Sequence, residues 1–64
     1  MKPGTRVRIT SPTAMHGRVG RVVTTEPTPT ELAVYVMLDG ERVPLRFGAS
    51  AVERIDTERS QEAL

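Results

Sequence analysis

Apolar and polar residues alternate in short runs along the first 48 residues, and glycine or proline interrupts each run there before it could make three turns of helix. Thr5-Arg6-Val7-Arg8-Ile9-Thr10 sets the pattern: Val7 and Ile9 share one face, while Arg6, Arg8 and Thr10 share the other. Period-two spacing of this kind makes a strand with one dry and one basic, wet face. Ser11-Pro12 ends the run, and a second strand is expected over Arg18–Thr25. Val19 and Val22 fall on opposite faces under simple alternation, so Gly20 between them reads as a bulge or a close backbone approach. The segment Glu26-Pro27-Thr28-Pro29-Thr30-Glu31 reads as an exposed loop, because two prolines remove donors and stiffen the backbone. The same composition would suit a phosphorylated or proline-rich ligand motif.

Leu32–Leu38 is the most apolar stretch and should be the central strand, with Val34, Val36 and Leu38 inward. Asp39-Gly40 carries the type I′ hairpin signature. The chain would return through Glu41–Phe47, with Val43, Leu45 and Phe47 on one face and Arg42, Pro44 and Arg46 on the other. Pro44 points to an edge position or a local gap in pairing. Residues 48–51 fit a single 3₁₀ turn, and Val52–Ile55 a last short strand. The expected core is Val7, Ile9, Val19, Val22, Val34, Val36, Leu38, Val43, Leu45, Phe47, Val52 and Ile55. The fold class is all-β: five short strands with one 3₁₀ turn before the last, in a closed or nearly closed antiparallel barrel that hides its edges. Residues 1–55 form this domain and 56–64 a polar C-terminal tail, for which a short helix is one option.

The order of these elements looks like an SH3-like barrel. Gly4-x-x-Val7-x-Ile9, followed by Gly17-Arg18-Val19-Gly20-Arg21-Val22, resembles the KOW-type motif of ribosomal and transcription-elongation proteins. That resemblance implies a five-stranded SH3-like barrel used for binding RNA, DNA or protein. The same opening and the Val-Gly-x-Val of strand two resemble the ferredoxin-docking SH3-like subunit of photosystem I. Gly4-Thr5-Arg6-Val7-Arg8 and Ala51-Val52-Glu53-Arg54-Ile55 resemble the ends of type II dihydrofolate reductase, a tetramer whose pore binds folate and nicotinamide. The pore segment Val-Gln-Ile-Tyr of that family has no counterpart in Val43-Pro44-Leu45-Arg46.

Composition limits the chemistry. With 64 residues, no cysteine and one histidine, the chain allows one domain, no thiol chemistry and no self-contained metal site. A domain of this size buries only ~60% of its unfolded surface, so its stability margin is thin. No apolar run approaches the ~20 residues of a membrane span, and the first residues do not read as a signal peptide, which fits a cytoplasmic setting. His16 lies in a loop without an orienting partner, and Ser11, Ser50 and Asp39 stand apart from it in sequence, so no catalytic relay is expected and no cofactor is implied.

The formal net charge of +1 hides a split. Lys2, Arg6, Arg8, Arg18 and Arg21 all precede the first acid, Glu26, whereas eight acids and four bases follow. The five early cations are the candidate nucleic-acid-binding residues, arginine being suited to bidentate phosphate contacts. Tyr35, Arg42, Pro44 and Arg46, outward in this phasing, are the candidate protein-interface residues. The expected function is a small non-catalytic adaptor or binding module that engages a nucleic acid or nucleoprotein through its basic first hairpin. An accessory subunit that binds only protein is the second reading, and a self-associating reductase-like enzyme the third. Only two aromatic rings, Tyr35 and Phe47, are present, which disfavours recognition by base stacking.

Overall fold

The structure is a computed structural model that describes residues 2–55. Five strands form in the expected order: β1 (Arg6–Ile9), β2 (Val19–Glu26), β3 (Ala33–Leu38), β4 (Leu45–Gly48) and β5 (Val52–Arg54), with a 3₁₀ turn, Ala49–Ala51, before the last. All strand pairs are antiparallel, in the spatial order β4-β3-β2-β1-β5. The expected tail at 56–64 lies outside the described residues.

The barrel expectation is corrected. The sheet is open: β4 and β5 form its two edges, and among the described residues they do not pair with one another. Extended backbone flanks the 3₁₀ turn on both sides, at Gly48 and Val52, so the chain crosses to the far side of β1 instead of folding back as a hairpin beside β4. The SH3-like and KOW-type readings rested on residue order along β1 and β2, which an open sheet shares with a closed one.

The core occupies one face of this sheet. Val7, Ile9, Val34 and Val36 are wholly buried, Leu38, Val22 and Val52 nearly so. Leu45, Phe47 and Ala49 from one edge pack on the same cluster as Val52 from the other, so the sheet coils over its own apolar face without closing. Each fully buried aliphatic side chain stabilises the fold by about 1.5–3 kcal/mol.

Gly20 makes this coiling feasible. It lies inward between Val7 and Leu38, and β3 presses on it so closely that an added Cβ would come within 2.7 Å of the Leu38 Cα. The close-approach reading of Gly20 is the one realised. The bulge sits three residues later: Val22 pairs with Val36 and Thr24 with Tyr35, leaving Val23 unpaired and exposed. Val19 consequently stands on the outer face opposite Arg8 and is not in the core cluster.

The return from β3 also differs from expectation. Glu41 N–H donates to the Leu38 carbonyl at 3.0 Å, closing a β-turn with Gly40 at φ +90°. No non-glycine residue among those described has positive φ, so Asp39 does not adopt the type I′ geometry, which needs both central residues there. Strand pairing then waits until Leu45, opposite Val36. Val43 is left in the loop at 66% exposure, not in the core. Pro44 stands just before the edge strand β4, consistent with its missing donor. Ile55 is half-buried and outside the core cluster, although its N–H donates to the Arg6 carbonyl at 3.0 Å.

The proline-containing loop is anchored. Glu31 N–H donates to Thr28 Oγ1 at 3.1 Å, and Ser50 N–H donates to Glu31 Oε1 at 3.1 Å. The Glu31 carboxylate occupies the space a Cβ on residue 48 would need. The loop folds over Ala33, which the pleat puts on the outer face yet which is only 3% exposed.

Candidate functional site

Strand alternation assigns the outer face. Arg6 and Arg21 are direct cross-strand partners, as are Arg21 and Met37. One row away, Arg8 lies between Val19 and Glu53. On the other side of the bulge, Tyr35 lies between Thr24 and Arg46. Three of the five cations read from the sequence, Arg6, Arg8 and Arg21, therefore share one face. Arg18 sits at the rim, just before β2, and Lys2 is exposed ahead of β1.

Opposed arginines at Arg6 and Arg21 repel one another, and a nearby anion is needed to offset this. Asp39 supplies it from the β3–β4 turn. Arg6 Nη1 donates to Asp39 Oδ1 at 3.2 Å and Nη2 to Oδ2 at 3.3 Å, a two-pronged contact. Arg18 Nη2 donates to the Asp39 main-chain carbonyl at 3.1 Å and to Glu41 Oε2 at 3.4 Å. Arg18 Nη1 also lies 3.7 Å from Met15 Sδ. The hydrogen bond from Arg6 holds the Asp39 carboxyl below its ordinary value of 3.8; desolvation opposes this, and the charges of Arg6, Arg21 and Arg18 reinforce it. Arg6 thus grips the Asp39 carboxylate, Arg18 holds the main-chain carbonyl of the same residue, and Arg21 stands beside Arg6 in register. Arg8 points away from this group, pairing with Glu53 at 3.3 Å.

These pairs are solvent-accessible, with side-chain exposures of 21% and 63% for Arg6 and Asp39, and are correspondingly weak. Among the described residues, Arg21 makes no ion pair. Residues 2–55 carry eight basic and five acidic side chains, a net +3.

The candidate protein-interface residues divide between two strands and the loop before β4. Tyr35 is half-buried on β3 and its hydroxyl donates to Glu26 Oε1 at 3.1 Å. Arg46 is exposed on β4 beside it, while Arg42 and Pro44 are exposed in the preceding loop. Arg46 also borders a cleft of about 180 Å³ whose lining includes Thr28, Glu31 and Phe47. Sequence reasoning missed this cleft because it forms only when the proline-containing loop folds over Ala33. It missed Asp39 as the shared counter-ion for a similar reason: Asp-Gly was fully explained as a turn.

No family model, curated protein or solved structure matches this chain. The KOW-type, photosystem I and type II dihydrofolate reductase resemblances implied a closed barrel and are withdrawn, because the sheet is open. No helix among the described residues is long and apolar enough to cross a membrane.

Proposed function

We propose that this chain is a small non-catalytic module that binds nucleic acid through the phosphate backbone, using the outer face of β1 and β2. The observation that supports it is the grouping of Arg6, Arg18 and Arg21 around the Asp39 turn, with Arg6 on its carboxylate, Arg18 on its main-chain carbonyl, Arg21 in register with Arg6, and Arg8 on the same face. Arginine presents a planar fork of donors that matches phosphate oxygens, and backbone contacts of this kind bind with little sequence preference. The surface has one ring, Tyr35, and its hydroxyl is already engaged by Glu26, so stacking plays a minor part. A cytoplasmic location, where nucleic acid is abundant, accords with this reading. The competing reading is a protein partner held by Tyr35, Arg42, Pro44 and Arg46.

Fluorescence anisotropy with labelled duplex and single-stranded oligonucleotides tests the proposal. Affinity should fall steeply with salt, and Arg21→Ala should flatten the log–log salt slope by about one unit. Absence of binding at about 20 mM salt, where such contacts are strongest, overturns the proposal in favour of a protein partner. An unchanged slope in Arg21→Ala also overturns it.

A further inference from the structure

We propose that Asp39 occupies the seat of a phosphate group: its carboxylate is the resident anion of an oxyanion site built by Arg6, Arg18 and Arg21, and an incoming phosphate ester displaces it. This rests on the nucleic-acid reading for its natural ligand, but the site stands on its own geometry.

The argument starts from the Arg6–Asp39 contact. Two parallel donations, at 3.2 and 3.3 Å, set the guanidinium plane as a fork around a planar anion. Arginine grips phosphate with the same fork. Arg18 is pre-positioned at the other side of the turn, its Nη2 held by the Asp39 carbonyl and by Glu41. Arg21 completes the group from β2, in register with Arg6 and without an ion pair among the described residues. Its charge acts on the Asp39 carboxylate.

Charge balance favours exchange. Arg6 pairs with Asp39 and Arg18 with Glu41, while Arg21 lies in register with Arg6 without an ion pair among the described residues, which leaves one uncompensated positive charge. With the Asp39 side chain swung out, the group presents two, matching a phosphomonoester and exceeding a phosphodiester. The Asp39 side chain is 63% exposed and sits on a turn, so it can rotate into water without uncovering any of the core. Exposed ion pairs are weak enough to be exchanged in this way. Asp39 therefore sets a threshold: weak or sparse anions do not displace it, whereas a dense array of phosphates does.

The test compares Asp39→Asn with Glu53→Gln, each of which removes one carboxylate from a partner arginine. Only the first opens the three-arginine seat. Asp39→Asn should tighten duplex binding on the order of tenfold at about 50 mM salt, and steepen the salt slope by about one unit, as one added phosphate contact requires. Glu53→Gln should give a clearly smaller gain. Adding Arg21→Gln to Asp39→Asn should cancel the improvement. In a parallel arm, inorganic phosphate titrated into Asp39→Asn should shift the guanidinium NMR signals of Arg6, Arg18 and Arg21 together, and much less so in the unmodified chain. Asp39→Ser repeats both arms should the Asn variant fold poorly. Equal gains from Asp39→Asn and Glu53→Gln would reduce the effect to general charge and overturn the proposal, as would no gain from Asp39→Asn in a chain that binds duplex. If no variant binds duplex but phosphate moves the three arginines, the seat stands and the nucleic-acid reading falls.

Discussion

Gly20→Ala should destabilise this protein far more than a glycine-to-alanine change in a strand ordinarily does. An alanine Cβ there would lie 2.7 Å from the Leu38 Cα and 2.9 Å from the Met37 carbonyl carbon. Both are backbone atoms of β3, so no side chain can swing aside to make room. Relief requires moving β3 off β2, and these two strands share the longest ladder in the sheet. Overpacking of this kind costs about 1–3 kcal/mol, and a rigid backbone neighbour puts Gly20 at the upper end. The lower entropy of an unfolded alanine chain returns about 0.4–1 kcal/mol. The net loss is about 2 kcal/mol, against a total stability of roughly 3–10 kcal/mol for 64 residues. In a domain this small that lowers the melting temperature by roughly 8–16 °C. Thermal unfolding followed by far-UV circular dichroism reads it directly. Gly17→Asn is the control: a Cβ at Gly17 meets nothing within 4 Å, so backbone strain at its φ of +86° is the one cost, and asparagine bears positive φ better than most residues. Its loss should be about 1 kcal/mol, the low end of the left-handed penalty. Should Gly20→Ala melt with the unmodified chain, or Gly17→Asn cost as much, the close approach of β3 is not what requires glycine at position 20.

Two further outcomes are expected. Ile9→Ala, at a wholly buried position, should cost about 2–5 kcal/mol, whereas Val43→Ser, in the exposed loop, should stay within about 0.5 kcal/mol; urea midpoints compare them, and similar losses would restore Val43 to the core. Acid sensitivity should depend partly on Asp39. Its folded carboxyl titrates below the ordinary value of 3.8, so its stabilising contribution is full above that value and fades as pH falls through the lower folded one. Asp39→Asn should therefore show a flatter decline in urea midpoint between about pH 6 and about pH 2, and an unchanged decline would contradict the pairing with Arg6.

Periodicity made most of the local structure legible. Strand β1, strand β3 with its inward Val34, Val36 and Leu38, and the 3₁₀ turn at Ala49–Ala51 follow directly from residue spacing. The errors come from residues whose side chains carry no sign of their direction. Gly20 points inward but shows no apolar group; a bulge at Gly20 would bring Val19 into the core beside Val22, whereas the bulge lies at Val23. Ala33 faces outward yet is buried, because the anchored loop at residues 28–31 covers it. Sheet closure was illegible for a different reason: five alternating strands are compatible with either topology, and the outcome depends on where β5 lands relative to β4. Of the candidate site, the shared face of Arg6 and Arg8 was written in their spacing. The convergence of Arg18 and Arg21 on Asp39 joins segments far apart in sequence, and only the β1–β2 register and the β3–β4 turn bring it about.

The strand order has a consequence for how the chain folds. Three of its four pairings, β1–β2, β2–β3 and β3–β4, join neighbours in sequence, and only β1–β5 spans the domain, with Arg8 and Glu53 separated by 45 positions. Closing so long a segment costs about 1 kcal/mol more in chain entropy than closing a hairpin of a dozen residues. The local hairpins form before this cost is met, and a three-residue β5 offers few contacts to offset it. Strand β5 is then the last element to arrive and the first to leave. Its release uncovers Val7 and Ile9 on β1, so native-state hydrogen exchange should open that edge ahead of the β2–β3 ladder.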